Sequence, residues 1–147
     1  MKNSKKAWLA ILLVLIILSA VLLSLIYIRY HDLEHINGLQ IIWGDLTIHP
    51  SHNDLENIPL TTIKMDNRAE FYGYLVKDLI NYYSIKWADI SVVYFTARDG
   101  SRIVVSKDEI ESRDVLLALD YSEFRLVFPQ DSFPNRWLKN IILVELK

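Results

Sequence analysis

The sequence predicts an α+β protein: a single apolar N-terminal helix followed by one small mixed domain. Three observations predict it. Residues 7 to 28 form an unbroken apolar run whose only polar members are Ser19 and Ser24. About 118 residues remain, near the common size of one domain. Within them, short β-branched runs alternate with short helical stretches bounded by Gly, Pro and capping residues, the pattern of an α+β fold.

The apolar run has 22 residues, which at ~1.5 Å of rise each spans the ~30 Å hydrocarbon core of a bilayer. Lys2, Lys5 and Lys6 precede it, and Arg29, Asp32 and Glu34 follow. The basic excess on the N-terminal side predicts a cytoplasmic N-terminus, residues 1–6, and an extracytoplasmic domain beyond the span. The run exceeds the apolar stretch of a cleaved signal peptide and lacks a small residue where cleavage needs one, so a single-pass cell-membrane anchor touching lipid through residues 7–28 is expected. Residues 29–38 read as a juxtamembrane linker, stopped by Asn37-Gly38.

The domain proper is expected over residues 39–147. Leu39 to Trp43 reads as a strand, turned at Gly44 and resumed by Leu46-Thr47-Ile48. Ser51-His52-Asn53-Asp54 fits a capping box and opens a short helix that Pro59 closes. Thr61 to Met65 reads as a strand. Phe71 to Tyr74 reads as a turn leading into a helix with Leu75, Val76, Leu79, Ile80 and Tyr83 on one face. Ile90 to Thr96 and Arg102 to Val105 form a hairpin about Asp99-Gly100. Ser106 to Glu109 opens a second short helix. Val115–Leu119, Phe124–Phe128 and Trp137–Leu146 complete the strands.

Composition excludes several chemistries. The chain has no cysteine, so disulfides, thiolate nucleophiles and Cys-ligated metals are excluded. From residue 30 onward, 12 Lys and Arg face 18 Asp and Glu, six negative charges in all, a poor match for nucleic acid. No G-x-S-x-G elbow, P-loop or Gly-rich dinucleotide turn is present. The carboxylates at Asp108, Glu109, Glu111 and Asp114 read as a solvated helix start, favoured by the helix dipole. The four histidines, His31, His35, His49 and His52, fall at spacings of four and three that can present imidazoles to zinc or copper, although the spacing is generic. Tyr72, Tyr74, Tyr82, Tyr83 and Trp87 offer either core packing or contact area.

From Phe71 onward the order of motifs resembles the oxidoreductase molybdopterin-binding domain, the fold of the sulfite oxidase central domain. Tyr72-Gly73-Tyr74-Leu75-Val76-Lys77-Asp78-Leu79-Ile80 resembles its "y-x-G-v-x-L-x-D-L-L" segment, and Tyr94–Ser106 its "A-x-D-G-Y" hairpin. Val115-Leu116-Leu117-Ala118 resembles "v-L-L-A", Arg125-Leu126-Val127-Phe128-Pro129 resembles "R-L-V-v-P", and Arg136-Trp137-Leu138 resembles "K-W-L". The resemblance covers about 105 residues. It implies the same fold without its metal chemistry, because the family's molybdenum-ligating cysteine has no counterpart. It also implies that Arg125 and Arg136 face one cleft as contacts for a phosphate or other anion, or else pair with nearby carboxylates. The expected function is a non-catalytic binding module with a protein partner and no cofactor. The alternative is a pterin-binding accessory of a redox system, with molybdopterin as cofactor.

Overall fold

The computed structural model describes residues 14–25, 38–65 and 69–147. The chain divides into two compact units, Met1–Glu34 and His35–Lys147. In the first, the described residues 14–25 are helical (α1), and their side chains are exposed. The Ser19 and Ser24 hydroxyls donate to the carbonyls of Ile16 and Ala20, both at 2.8 Å, so the two polar side chains are satisfied within the helix.

Here the expectation of a transmembrane span is corrected. Among the described residues, no helix is long and apolar enough to cross a membrane. A single-pass anchor, a cytoplasmic N-terminus and an extracytoplasmic domain are therefore not supported. The remainder of the expected span (residues 7–13 and 26–28), residues 1–6 and most of the 29–38 linker lie outside the described residues.

The second unit is a mixed α/β domain built on a nine-stranded sheet. Strands β1 (Gln40–Trp43) and β2 (Leu46–Ile48) form a hairpin turned at Gly44, whose φ of +57° is the left-handed backbone that glycine tolerates. Helix α2 (His52–Glu56) carries the expected capping box, Ser51 Oγ accepting from Asp54 N and Ser51 N donating to Asp54 Oδ2. Strands β3 (Leu60–Lys64) and β4 (Glu70–Leu75) pair antiparallel, and α3 (Val76–Tyr82) follows β4 directly. The expected turn at Phe71–Tyr74 is thus a strand. Its alternation of exposed Tyr72 with buried Gly73 is a period-two pattern, and the neighbouring aromatics obscured it.

A hairpin joins β5 (Val92–Ala97) to β6 (Arg102–Ser106), and α4 (Lys107–Ser112) is capped by the Ser106 hydroxyl accepting from Glu109 N. Strands β7 (Leu116–Asp120), β8 (Glu123–Val127) and β9 (Leu138–Leu146) complete the sheet, with 3-10 turns at Trp87–Asp89 and Pro134–Arg136. The order is β2-β1-β9-β8-β7-β4-β3, with β5 pairing β6 and β9. Strand β9 is the hub, bound to β1, β5 and β8.

The two faces of the sheet are unequal. Leu55 of α2, Val76, Leu79 and Ile80 of α3, and Ile110 of α4 pack with Ile41, Phe95, Leu117, Phe124 and Leu126 in the main core. Each such buried side chain contributes about 1.5–3 kcal/mol relative to exposure. On the opposite face a small cluster of Leu116, Ala118 and Val127 is covered by Ile63, Phe71, Leu75 and Trp137. Arg125 belongs to that second face, since it alternates with Phe124 and Leu126 along β8 and pairs with Ala118.

Candidate functional site

The β4–β7 ladder fixes where a cleft can form. It pairs Leu75 with Leu116, Tyr74 with Leu117 and Gly73 with Ala118, and there it ends. At Gly73 the two backbones are so close that a Cβ would collide with the Leu117 carbonyl and lie 2.6 Å from Ala118 Cα. Beyond this pinch a cavity of about 140 Å³ opens between Glu70, Phe71 and Tyr72 on β4 and Ala118, Leu119 and Asp120 on β7, with Arg125 beside it.

Arg125 lies across from Ala118, whose small side chain leaves room for the guanidinium. The side chain is 23% exposed. Its Nη2 donates to the Asp120 carboxylate, while its Nε is buried and has no hydrogen-bond partner among the described residues. A buried donor without a partner is costly, of the order of 1–3 kcal/mol. The Asp120 side chain is 41% exposed and sits at the solvent rim. On the β4 side Glu70 is paired with Lys64 at 3.4 Å, and its hydrogen bond and charge hold the exposed Tyr72 phenol above its ordinary range.

Tyr121 stands at the tip of the β7–β8 hairpin, directly after Asp120, which lines the cleft. It is fully exposed and its φ is +59°. The hairpin pairs Asp120 with Glu123, which leaves Tyr121 and Ser122 as a two-residue turn. That turn places a left-handed residue where glycine or asparagine is preferred. A bulky residue there costs roughly 1–2 kcal/mol.

Arg136 is held differently. Its Nε donates to Asp131 Oδ2 at 2.9 Å, and its Nη2 donates to Asp131 Oδ1 and Glu109 Oε1, both at 2.8 Å. The guanidinium stacks 4.2 Å from the Phe128 ring centroid. Arg113 approaches the same two carboxylates at 3.6 and 3.7 Å. The two carboxylates raise the Arg136 pKa further. This cluster ties the segment after β8 to α4.

The expected arginine pair is therefore built as two separate arrangements with no carboxylate in common, and only Arg125 lines the cleft. The residues do not fit a pterin phosphate. Nε and Nη2 of Arg136 are committed to Asp131 and Glu109, and the chain has no thiolate for molybdenum.

Among the candidate histidines, His49 is exposed and His52 pairs with Glu56 at 3.1 Å on the surface. His31 and His35 lie outside the described residues. Among the described residues, no group of three or more His, Cys, Asp or Glu side chains is placed to hold a metal. Of the candidate aromatics, Tyr74 is buried in the core, Tyr83 and Trp87 are half-buried, and Tyr72 and Tyr82 are exposed. Burial, and then the Asp54 charge, push the Tyr83 phenol up.

Asp120 and Tyr121 were not among the candidate site residues. The signal for them is local: Asp120-Tyr121-Ser122-Glu123 is a polar interruption between two apolar runs, which marks a hairpin and brings Asp120 beside Arg125. Comparison with family models and with curated proteins finds no match to this chain.

Proposed function

We propose that residues 38–147 act as a binding module that contacts a protein partner through the cleft end of the sheet, with Tyr72, Tyr121 and Arg125 as its contact residues. The observation that carries this reading is Tyr121, a fully exposed aromatic kept at a left-handed position where glycine or asparagine would cost less. Backbone strain of this kind clusters at functional sites. Tyrosine and arginine are also the residue types that dominate protein-contact energetics. Tyr72 and Arg125 both line the cleft, and one guanidinium donor has no partner among the described residues.

Site-specific photocrosslinking tests the reading. A photoreactive residue at Tyr121 should give a discrete adduct in cells, and the same residue at exposed Val104 on β6 should not. Equal adducts from both positions, or none from Tyr121, would remove it. Stoichiometric pterin and molybdenum in the purified chain would instead favour the alternative, a pterin-binding accessory of a redox system.

A further inference from the structure

We propose that the cleft is a site for a single carboxylate presented by the partner protein, and that Asp120 is its resident stand-in on Arg125. This rests on the contact-module reading and names the chemistry of the anchoring group.

A contrast between the two arginines carries the inference. Arg136 shows how this protein fills one edge of a guanidinium: one carboxylate, from Asp131, spans Nε and Nη2 side-on. Arg125 offers the same edge, but Asp120 reaches only Nη2 and leaves Nε buried and unpaired. A side-on carboxylate is the ligand that satisfies both donors at once. Asp120 comes from the adjoining strand and is half in solvent, so it can release Arg125 into water without leaving a buried charge.

Size and charge narrow the ligand. The cavity admits a group of about benzene volume, enough for a carboxylate and a short stem against Phe71, Ala118 and Leu119. Asp120 and Glu70 already line the site, so a dianionic phosphate meets more repulsion than a monoanionic carboxylate. A free C-terminus and an Asp or Glu side chain supply the same group.

The test is a titration of the full chain followed through the side-chain Nε–H resonance of Arg125. The probes are acetate, inorganic phosphate, an acetylated trialanine with a free C-terminus, and an amidated peptide with one aspartate. Acetate and at least one peptide should shift the signal saturably, and the peptide that does so identifies the source of the carboxylate. Asp120→Asn removes the tethered competitor and should tighten acetate binding about tenfold, the ratio expected if Asp120 occupies Arg125 about nine-tenths of the time. Arg125→Lys keeps the charge, removes the planar fork, and should abolish binding.

No shift in either the wild type or Asp120→Asn would overturn the proposal. So would tighter binding of phosphate than of acetate, or acetate binding with neither peptide bound. The contact-module reading fails separately, through the Tyr121 crosslink. An adduct there with a silent Arg125 titration leaves the module without a carboxylate site.

Discussion

Replacing Gly73 with alanine should be among the most damaging single-methyl changes in the domain. Gly73 lies in extended β4 and not in the left-handed region, so the effect is steric. The added Cβ would overlap the Leu117 carbonyl and sit 2.6 Å from Ala118 Cα, and both obstacles are backbone. Backbone held between β4 and β8 cannot rotate aside as a flexible side chain can. Relief requires the three-pair β4–β7 ladder to move apart, over Leu116 and Ala118, which are buried.

Overpacking of a tight site costs about 1–3 kcal/mol, and a weakened ladder adds about 1 kcal/mol per hydrogen bond. Alanine returns about 0.4–1 kcal/mol by restricting the unfolded chain. The net loss is about 3 kcal/mol. Urea unfolding followed by tryptophan fluorescence, at a slope of about 1.5 kcal/mol per molar, should place the midpoint about 2 M below the wild type. Gly44→Ala is the control: φ is +57° but nothing lies within 4 Å, so only backbone strain of about 1 kcal/mol is expected. A Gly73→Ala midpoint within about 0.3 M of the wild type, or a larger loss at Gly44, would refute the close strand approach from which the cleft is derived.

Tyr121→Asn should raise stability by about 1 kcal/mol in thermal unfolding, because asparagine tolerates a φ of +59° better, while weakening the photocrosslinked contact when the probe sits at Tyr72. Arg136→Ala leaves Glu109 and Asp131 facing each other across a half-buried gap and should cost about 1–2 kcal/mol in urea unfolding. The Asp54 carboxyl is held below its ordinary 3.8, first by the Ser51 backbone N–H. Its stabilisation is therefore complete above that unfolded value and disappears as pH falls through the lower folded one. Asp54→Ala should cost about 1 kcal/mol at neutral pH, and its stability curve should converge with the wild type below pH 3.8.

The elements legible in the sequence are those set by local chemistry. The Ser51 and Ser106 caps place two helices because a hydroxyl three residues before a free N–H has one good partner. Asp99-Gly100 places a hairpin because Gly100, at φ +87°, supplies the turn. The failures have physical causes as well. Hydropathy along residues 7–28 measures how apolar a segment is, whereas among the described residues no helix is long and apolar enough to cross a membrane. At Phe71–Tyr74 the aromatics on both faces of β4 hid the strand period, since Phe71 packs against Trp137 and Tyr74 against Phe124. Strand order was not legible at all. The central place of β9, the last strand in the chain, depends on contacts with residues about 100 positions away.

The two arginines show why a site is harder to read than a fold. By residue type Arg125 and Arg136 are equivalent, and each lies five residues from an aspartate. Asp131 and Arg136 are joined by an irregular segment that lets the carboxylate turn to meet both Nε and Nη2. Asp120 and Arg125 lie on adjacent antiparallel strands, where the register Ala118–Arg125 sets Asp120 two pairs along, on the same face as the guanidinium. A diagonal neighbour at that ~7–8 Å cross-strand spacing reaches one donor, not two. The same sequence separation thus yields a closed ion pair in one place and an open one in the other, and the regular strand geometry makes the difference. Shifting the acid should close it: Asp120→Glu adds one methylene, enough to span Nε and Nη2. That substitution should weaken carboxylate binding at Arg125, whereas Asp120→Asn strengthens it.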